Sequence, residues 1–110
     1  MRQLDPEKLA HELSERGKDW AEKDAAYYAL EEAKHSILSQ CKAELNDQDQ
    51  SEAAKEVAAR RSPKFLEHLT ATAAARAAMN KAKVNYTTFQ AYLELIRSRE
   101  ATNREEMKLR

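Results

Sequence analysis

Basic side chains in the second half of the chain have the types and spacing best suited to a chemical role, the binding of phosphate groups. Eight Lys and Arg residues lie between positions 60 and 99, against only two acidic residues, Glu67 and Glu94. Cations spaced by one to two helical turns can meet successive phosphates of a nucleic-acid strand, in salt-dependent contacts that do not read base sequence. The predicted nucleic-acid-binding residues are Arg60, Arg61, Lys64, Arg76, Lys81, Lys83, Arg97 and Arg99.

Two alternatives stay open for these cations: hydration by solvent, or pairing with acidic residues of the same or a neighbouring chain. Acidic partners are available, because residues 1–50 carry a net charge of −5 and residues 51–110 a net charge of +5. Tyr28 and Tyr92 fall outside the main apolar rows of the sequence. They are interpreted either as stacking platforms for bases or as packing residues at a second interface.

The sequence carries no pattern typical of catalysis or metal binding. The three histidines lie far apart, without a companion cysteine or a His-Glu-x-x-His spacing. The only glycine is Gly17, which excludes a Gly-rich phosphate loop. Two Glu-Glu pairs are adjacent on predicted helices, so their carboxylates point in different directions. We therefore expect a non-enzymatic protein with no catalytic residue, metal, cofactor or small-molecule substrate.

Helices must position the basic residues. Glycine occurs once and proline twice in 110 residues, while Ala, Glu, Lys, Arg and Leu dominate, which is the composition of long helices. The length predicts a single helical domain over residues 1–110. Aromatic residues make up only 6% of the chain and charged residues 35%, so few large apolar side chains are available for a core. Small proteins commonly bury more apolar surface by self-association, and a homo-oligomer is predicted.

Start and stop signals divide the chain into four predicted helices. Asp5-Pro6 and Ser62-Pro63 each combine an N-cap residue with proline at the first helical position, and Ser51 is a further N-cap candidate. Gly17 is interpreted as a C-cap, and the polar residues 46–50 as a loop. The predicted helices are residues 6–16, 18–45, 51–60 and 63–107.

Apolar spacing predicts an all-α fold in which the two long helices form an antiparallel, coiled-coil-like hairpin, with short additional helices. One face of the first long helix carries Trp20, Tyr27, Leu30, Ile37, Cys41 and Leu45. The last helix has two apolar rows about half a turn apart. The first row consists of Met79, Ala82, Tyr86, Phe89, Leu93 and Ile96. The second row, the predicted oligomer interface, consists of Leu66, Ala73, Ala77, Val84, Ala91 and Leu95. The alternative is that both rows are buried in a compact bundle of the chain's own helices.

The location of the protein is expected to be cytoplasmic. The first residues lack the apolar stretch of a signal peptide, and no run approaches the roughly 18 apolar residues of a membrane span. No membrane partner is therefore expected. Cys41 is the only cysteine, so no internal disulfide can form, and its spacing indicates a small buried side chain rather than a reactive thiol.

Three segments resemble small helical proteins common in bacteriophage genomes and encoded near DNA replication and recombination genes. They are Arg61-Ser62-Pro63-Lys64-Phe65, the run from Ala75 to Tyr86, and the run from Arg97 to Thr102. The layout, an acidic first part with a tryptophan-bearing helix followed by a long basic helix with tyrosines, is similar to the T4-type phage recombination mediator. That resemblance implies a ring-like oligomer that binds single-stranded DNA and helps to load a recombinase. It implies the cytoplasm of a phage-infected bacterium as the location.

The leading hypothesis is an oligomeric, non-enzymatic phage accessory protein of DNA recombination or replication that binds single-stranded DNA, a recombinase, or both. An alternative is a phage inhibitor of a host defence complex, similar to anti-CRISPR proteins, that acts by binding a host protein. A virion scaffolding protein is a third hypothesis. The last two do not require nucleic-acid binding.

Overall fold

The computed structural model describes residues 5–45 and 51–109, and among these residues it contains three α-helices and no strand. Helix α1 spans Pro6–Ala43, α2 spans Glu52–Arg60 and α3 spans Pro63–Lys108. The all-α prediction is thus confirmed. The loop predicted at residues 46–50 lies outside the described residues.

Local hydrogen bonds explain where the helices begin. The Asp5 carboxylate accepts a hydrogen bond from the backbone N–H of Glu7 at 3.0 Å, and the Ser51 hydroxyl accepts one from Ala54 at 3.2 Å. Ser62 accepts from the N–H of Phe65 at 3.3 Å and donates to the carbonyl oxygen of Ala59 at 2.8 Å. These side chains satisfy N–H groups that have no partner within the helix. Three of the four predicted helix starts, at Asp5-Pro6, Ser51 and Ser62-Pro63, are confirmed.

The predicted end of a helix at Gly17 is wrong, because residues 6–16 and 18–45 do not form separate helices. Helix α1 runs through Gly17 without interruption and ends at Ala43 rather than Leu45. A glycine C-cap needs a positive φ, and Gly17 does not have one. The glycine instead makes room: a Cβ atom at this position would lie 3.3 Å from Cε2 of Tyr86.

The chain forms two compact units, and unit 1 contains residues 1–21 and 80–110. Within it the start of α1 packs antiparallel to the second half of α3. Trp20 packs on Tyr86 with ring centroids 5.5 Å apart. Farther along the pair, Leu9 and Leu13 of α1 line the same groove as Leu93 and Ile96 of α3.

Unit 2 contains residues 22–79, and α2 closes its apolar core. The four buried residues of this core are Leu38, Cys41, Ala59 and Phe65. Helices α1 and α3 are antiparallel here too. Glu44, just after α1, pairs with Lys64 near the start of α3, whereas the carbonyl oxygen of Leu30, earlier in α1, lies 2.9 Å from the ring Nε2 of His68, later in α3. Cys41 is 2% exposed, so its predicted burial is confirmed.

Burial separates the two apolar rows of α3. In the first row Ala82 and Phe89 are buried, and Met79, Tyr86, Leu93 and Ile96 are partly buried. All six residues of the second row are exposed. The first row is therefore the one that packs inside the chain, and the compact-bundle alternative, in which both rows are covered internally, does not hold.

Within residues 5–45 and 51–109, no helix has both the length and the apolar character to cross a bilayer.

Candidate nucleic-acid and self-association surfaces

All eight basic residues predicted to bind nucleic acid are exposed on helix surfaces or at helix ends. Two of them are held by carboxylates of unit 2. Arg60 pairs with Glu56 at 3.0 Å within α2, and Lys64 at the start of α3 pairs with Glu44 at 3.2 Å. Lys64 thus pairs with a carboxylate of the acidic first half of the chain, as the alternative interpretation has it, whereas Arg60 pairs within its own helix.

The other six basic residues form no ion pair with any residue in the described ranges 5–45 and 51–109. They are Arg61, Arg76, Lys81, Lys83, Arg97 and Arg99. Their charges remain open to solvent, which is the state a phosphate-binding cation needs before its ligand arrives.

The eight residues are divided equally between the two units, and unit 1 carries the more regular arrangement. Lys81 and Arg99 lie on the same side of α3, since 18 residues are about five turns at 3.6 residues per turn. Tyr92 lies on that side between them and is 46% exposed. We name Lys81, Tyr92 and Arg99 the cation–tyrosine line. Lys83 and Arg97 project from a different side of the helix.

In unit 2, Arg76 lies near a pair of tyrosines on α1. The rings of Tyr27 and Tyr28 are 5.6 Å apart, and Tyr28 is 57% exposed. Partial burial raises the pKa of Tyr27, and a hydrogen bond with Glu31 raises it further, while the nearby charge of Arg76 lowers it. Tyr27 therefore stays protonated near neutral pH, and Tyr28 presents an open ring beside it.

The second row of α3 lies within a surface that has few charges. In unit 2 this surface is largely apolar over about three helical turns and includes Leu66, Leu69, Thr70, Ala73, Ala74 and Ala77. We name these six residues the alanine face. Leu66 is 49% exposed and Leu69 38%. The Thr70 hydroxyl donates to the carbonyl oxygen of Leu66 at 3.0 Å, so its polar atom is already bonded within the helix.

Sequence reasoning missed the role of Arg16, which is a central side chain of unit 1. Its guanidinium lies over the ring of Phe89, with Cζ 4.5 Å from the ring centroid. It also donates to the carbonyl oxygen of Asn85 at 3.2 Å and pairs with Glu12 at 2.7 Å. The i,i+4 spacing of Glu12 and Arg16 is visible in the sequence, but the contact with α3 is not.

Three acidic residues of α1 lie along one groove of unit 1 but do not form a metal centre. Glu12, Glu15 and Asp19 line a groove together with Arg16 and Asn85, and the guanidinium of Arg16 pairs with one of these carboxylates, that of Glu12. In the part of the chain that the structure describes, no group of three or more His, Cys, Asp or Glu residues is placed to hold a metal ion.

Comparison with known proteins gives no match: no family model, no curated protein and no solved structure is similar to the chain. The fold and its surfaces define the class of the protein as an all-helical protein with a paired-helix packing in each unit.

Proposed function

We propose that this chain is a non-enzymatic, self-associating accessory protein that binds single-stranded DNA along α3. The observation that carries the proposal is the cation–tyrosine line of unit 1. An exposed aromatic ring at Tyr92 stands between two unpaired cations, Lys81 and Arg99, on one side of a helix. Cations that contact phosphates and an aromatic ring on which a base stacks are the two components of sequence-independent single-strand binding.

The resemblance of the sequence to phage proteins supports a place for this activity in phage DNA recombination or replication. In that role the chain would coat or bridge single strands, or hold them for a recombinase, in the cytoplasm of the infected bacterium. None of these steps requires a catalytic residue. The basic residues outside the cation–tyrosine line, such as Lys83 and Arg97, would add phosphate contacts that strengthen binding at low salt.

Fluorescence anisotropy with a labelled single-stranded oligonucleotide, measured over a series of salt concentrations, tests the proposal. We expect affinity to fall steeply with salt. Arg99→Glu should weaken binding for every base sequence and reduce the salt slope by roughly the one phosphate contact removed. Tyr92→Ala should weaken binding by about 1–3 kcal/mol while leaving the salt slope unchanged, because stacking releases no counterions.

Arg104→Glu is the matched control for Arg99→Glu. Arg104 lies on the same helix and is highly exposed, but it faces Glu100 at 4.0 Å and is not on the cation–tyrosine line. The control should lose much less affinity than Arg99→Glu. No binding to single-stranded DNA at low salt would remove the proposal.

A second candidate function is inhibition of a host protein complex by direct binding, as anti-CRISPR proteins do. The apolar groove of unit 1 favours it, because Leu9, Leu13, Leu93 and Ile96 line an open surface that side chains of another protein could fill. A stoichiometric complex with a purified host nuclease, together with no affinity for DNA, would favour this candidate. Co-purification with phage particles would instead favour a scaffolding role.

A further inference from the structure

We infer that a single strand bound along the cation–tyrosine line places its bases on Val84 and Leu95 as well as on Tyr92, and that the line accommodates about eight nucleotides. This inference rests on the proposed function, since it concerns the same strand. It adds the residues that contact the bases and the length of the ligand. All the residues that carry it belong to unit 1.

Part of the second row of α3 lies in unit 1, immediately beside the cation–tyrosine line. Three exposed residues, which we name the unit 1 strip, form this part: Val84, Ala91 and Leu95. With a rotation of about 100° per residue, the strip is centred about 60° to one side of Lys81 and Arg99. The only acidic residue between these two cations is Glu94, which projects about 100° away from Leu95. The strip is therefore an apolar surface with a cation near each end and no carboxylate on it.

The charges near the strip favour a single nucleic-acid strand as its occupant. Lys81 and Arg99 form no ion pair with any residue in the ranges 5–45 and 51–109, so both are open to phosphates. Val84 is 59% exposed and Leu95 50%, and removing such apolar surface from water is favourable. A single strand supplies phosphates for the cations and unpaired bases whose faces pack on apolar side chains. A duplex keeps its bases stacked inside, so it reaches the cations but not the strip.

Carboxylates of α1 lie on the other side of the cation–tyrosine line. Asn85 projects about 40° to that side and lines a groove with three acidic residues of α1: Glu12, Glu15 and Asp19. The first two pair with cations of their own helix at 2.7 and 3.4 Å, so they repel a phosphate less than free carboxylates do. The remaining negative charge disfavours a strand over the groove. The bases are therefore directed to the opposite side, where the strip lies.

The distance between the two cations sets the length of the strand. Arg99 follows Lys81 by 18 residues, which is about 27 Å along the helix at about 1.5 Å per residue. At about 3.4 Å per phosphate of a stacked strand, this distance corresponds to about eight nucleotides. Tyr92 follows Lys81 by 11 residues, about 16 Å, so a strand held only between these two residues needs about five nucleotides.

Fluorescence anisotropy with oligothymidylates of increasing length tests this geometry. Affinity should rise up to about eight nucleotides and then become nearly constant. Arg99→Gln should reduce that length to about five nucleotides, because the strand then ends at Tyr92. Arg104→Gln is the control, since Arg104 faces Glu100 and lies off the line, and it should leave the length unchanged. An Arg99→Gln variant whose affinity becomes constant at the same length as that of the parent would overturn the inference.

Two substitutions test the contact with the bases. Val84→Thr keeps the shape of the side chain, and Leu95→Gln introduces another good helix former. Each should weaken binding of a strand longer than the line by about two- to five-fold. The salt slope should stay the same, because apolar contacts release no counterions. Val57→Thr is the matched control, since Val57 is 51% exposed but lies on α2 in unit 2, and its affinity should equal that of the parent.

Duplex DNA and light scattering complete the test. Val84→Thr and Leu95→Gln should bind a duplex as the parent does, because a duplex presents no bases to the strip. Both variants should also have the mass of the parent in light scattering. Loss of self-association together with loss of affinity would show that the strip is a contact between copies of the chain, and the inference would be wrong.

The same measurements separate a failure of this inference from a failure of the proposed function. If single strands bind in a salt-dependent way, but Val84→Thr and Leu95→Gln bind them as tightly as the parent does, the bases lie elsewhere. Only the inference is then wrong. If no oligonucleotide of any length binds at low salt, the proposed function is wrong, and the inference is lost with it.

Discussion

The guanidinium of Arg16 lies over the ring of Phe89, with its Cζ atom 4.5 Å from the centre of the ring. The same side chain contacts the backbone of α3 through Asn85 and a carboxylate of its own helix through Glu12. One residue thus joins the two helices of unit 1 by two interactions and forms a third within its own helix, although its side chain is 37% exposed.

Arg16→Ala should lower the free energy of unfolding by about 1–2 kcal/mol, because a cation–π contact at a partly exposed site contributes about 0.5–1 kcal/mol and the remaining polar contacts a similar amount. Arg16→Lys should recover less than half of the loss, since an ammonium group cannot form the same planar contacts. Urea unfolding followed by circular dichroism measures both. Arg104→Ala, an exposed arginine with one long ion pair, should change stability by less than about 0.5 kcal/mol.

Gly17→Ala should raise the free energy of unfolding by about 0.5 kcal/mol. Alanine is favoured over glycine inside a helix by about 1 kcal/mol, and the new methyl group, 3.3 Å from the Tyr86 ring, needs the ring to move by only a few tenths of an ångström. Gly17→Leu should be destabilising, because its longer side chain must displace the ring. Urea unfolding measures the stability of both variants. A destabilised Gly17→Ala variant would show that the Tyr86 ring, which packs on Trp20, cannot move.

Truncation of the neighbouring residues Phe65 and Leu66 to alanine should affect two different properties, folding stability and self-association. Phe65 is 2% exposed and Leu66 is 49% exposed. Phe65→Ala should cost about 3–5 kcal/mol of stability by leaving a cavity in unit 2. Leu66→Ala should change the folding of the isolated chain by less than about 0.5 kcal/mol but weaken self-association. Unfolding at one fixed protein concentration, together with light scattering, separates the two effects. Equal losses of stability would contradict the assignment of Leu66 to the surface.

Acid should weaken the contact between Glu56 and Arg60. The hydrogen bond from Arg60 lowers the pKa of Glu56 below its ordinary value, and the charges of Lys42 and Arg60 add to the effect. A carboxyl group whose pKa is lowered in the folded state stabilises the fold at pH values above its ordinary pKa. That contribution is lost as the pH falls through the folded-state pKa. Arg60→Ala should raise the pKa of Glu56 in an NMR titration. Arg61→Ala, which removes an unpaired cation, should leave it nearly unchanged.

Apolar spacing was sufficient to predict much of the fold because a helix repeats its faces regularly along the chain. The row from Met79 to Ile96 is an apolar seam, as its heptad spacing predicts, and Ser51 and Ser62 begin helices as their side-chain chemistry predicts. Such features depend on residues close together in the sequence, so a single sequence is enough to find them.

Gly17 shows why the remaining features could not be predicted. Glycine marks a helix end when its φ is positive, but it also occurs where a neighbouring group needs space, and the sequence does not distinguish the two cases. The neighbour here is Tyr86, which lies far along the chain. The same limit applies to the cations: Lys64 pairs with Glu44 of α1, whereas Lys83 has no ion-pair partner within residues 5–45 and 51–109. Only the tertiary contacts distinguish the paired Lys64 from the unpaired Lys83.

The positions of Trp20 and Cys41 supply a natural pair of probes. The single tryptophan packs against Tyr86 in unit 1, while the single cysteine is buried in unit 2. Indole fluorescence therefore follows the melting of one half of the molecule, and the rate at which a thiol reagent labels the cysteine follows the opening of the other half. Whether the two units open together or in sequence can therefore be measured on the wild-type chain, without an engineered probe.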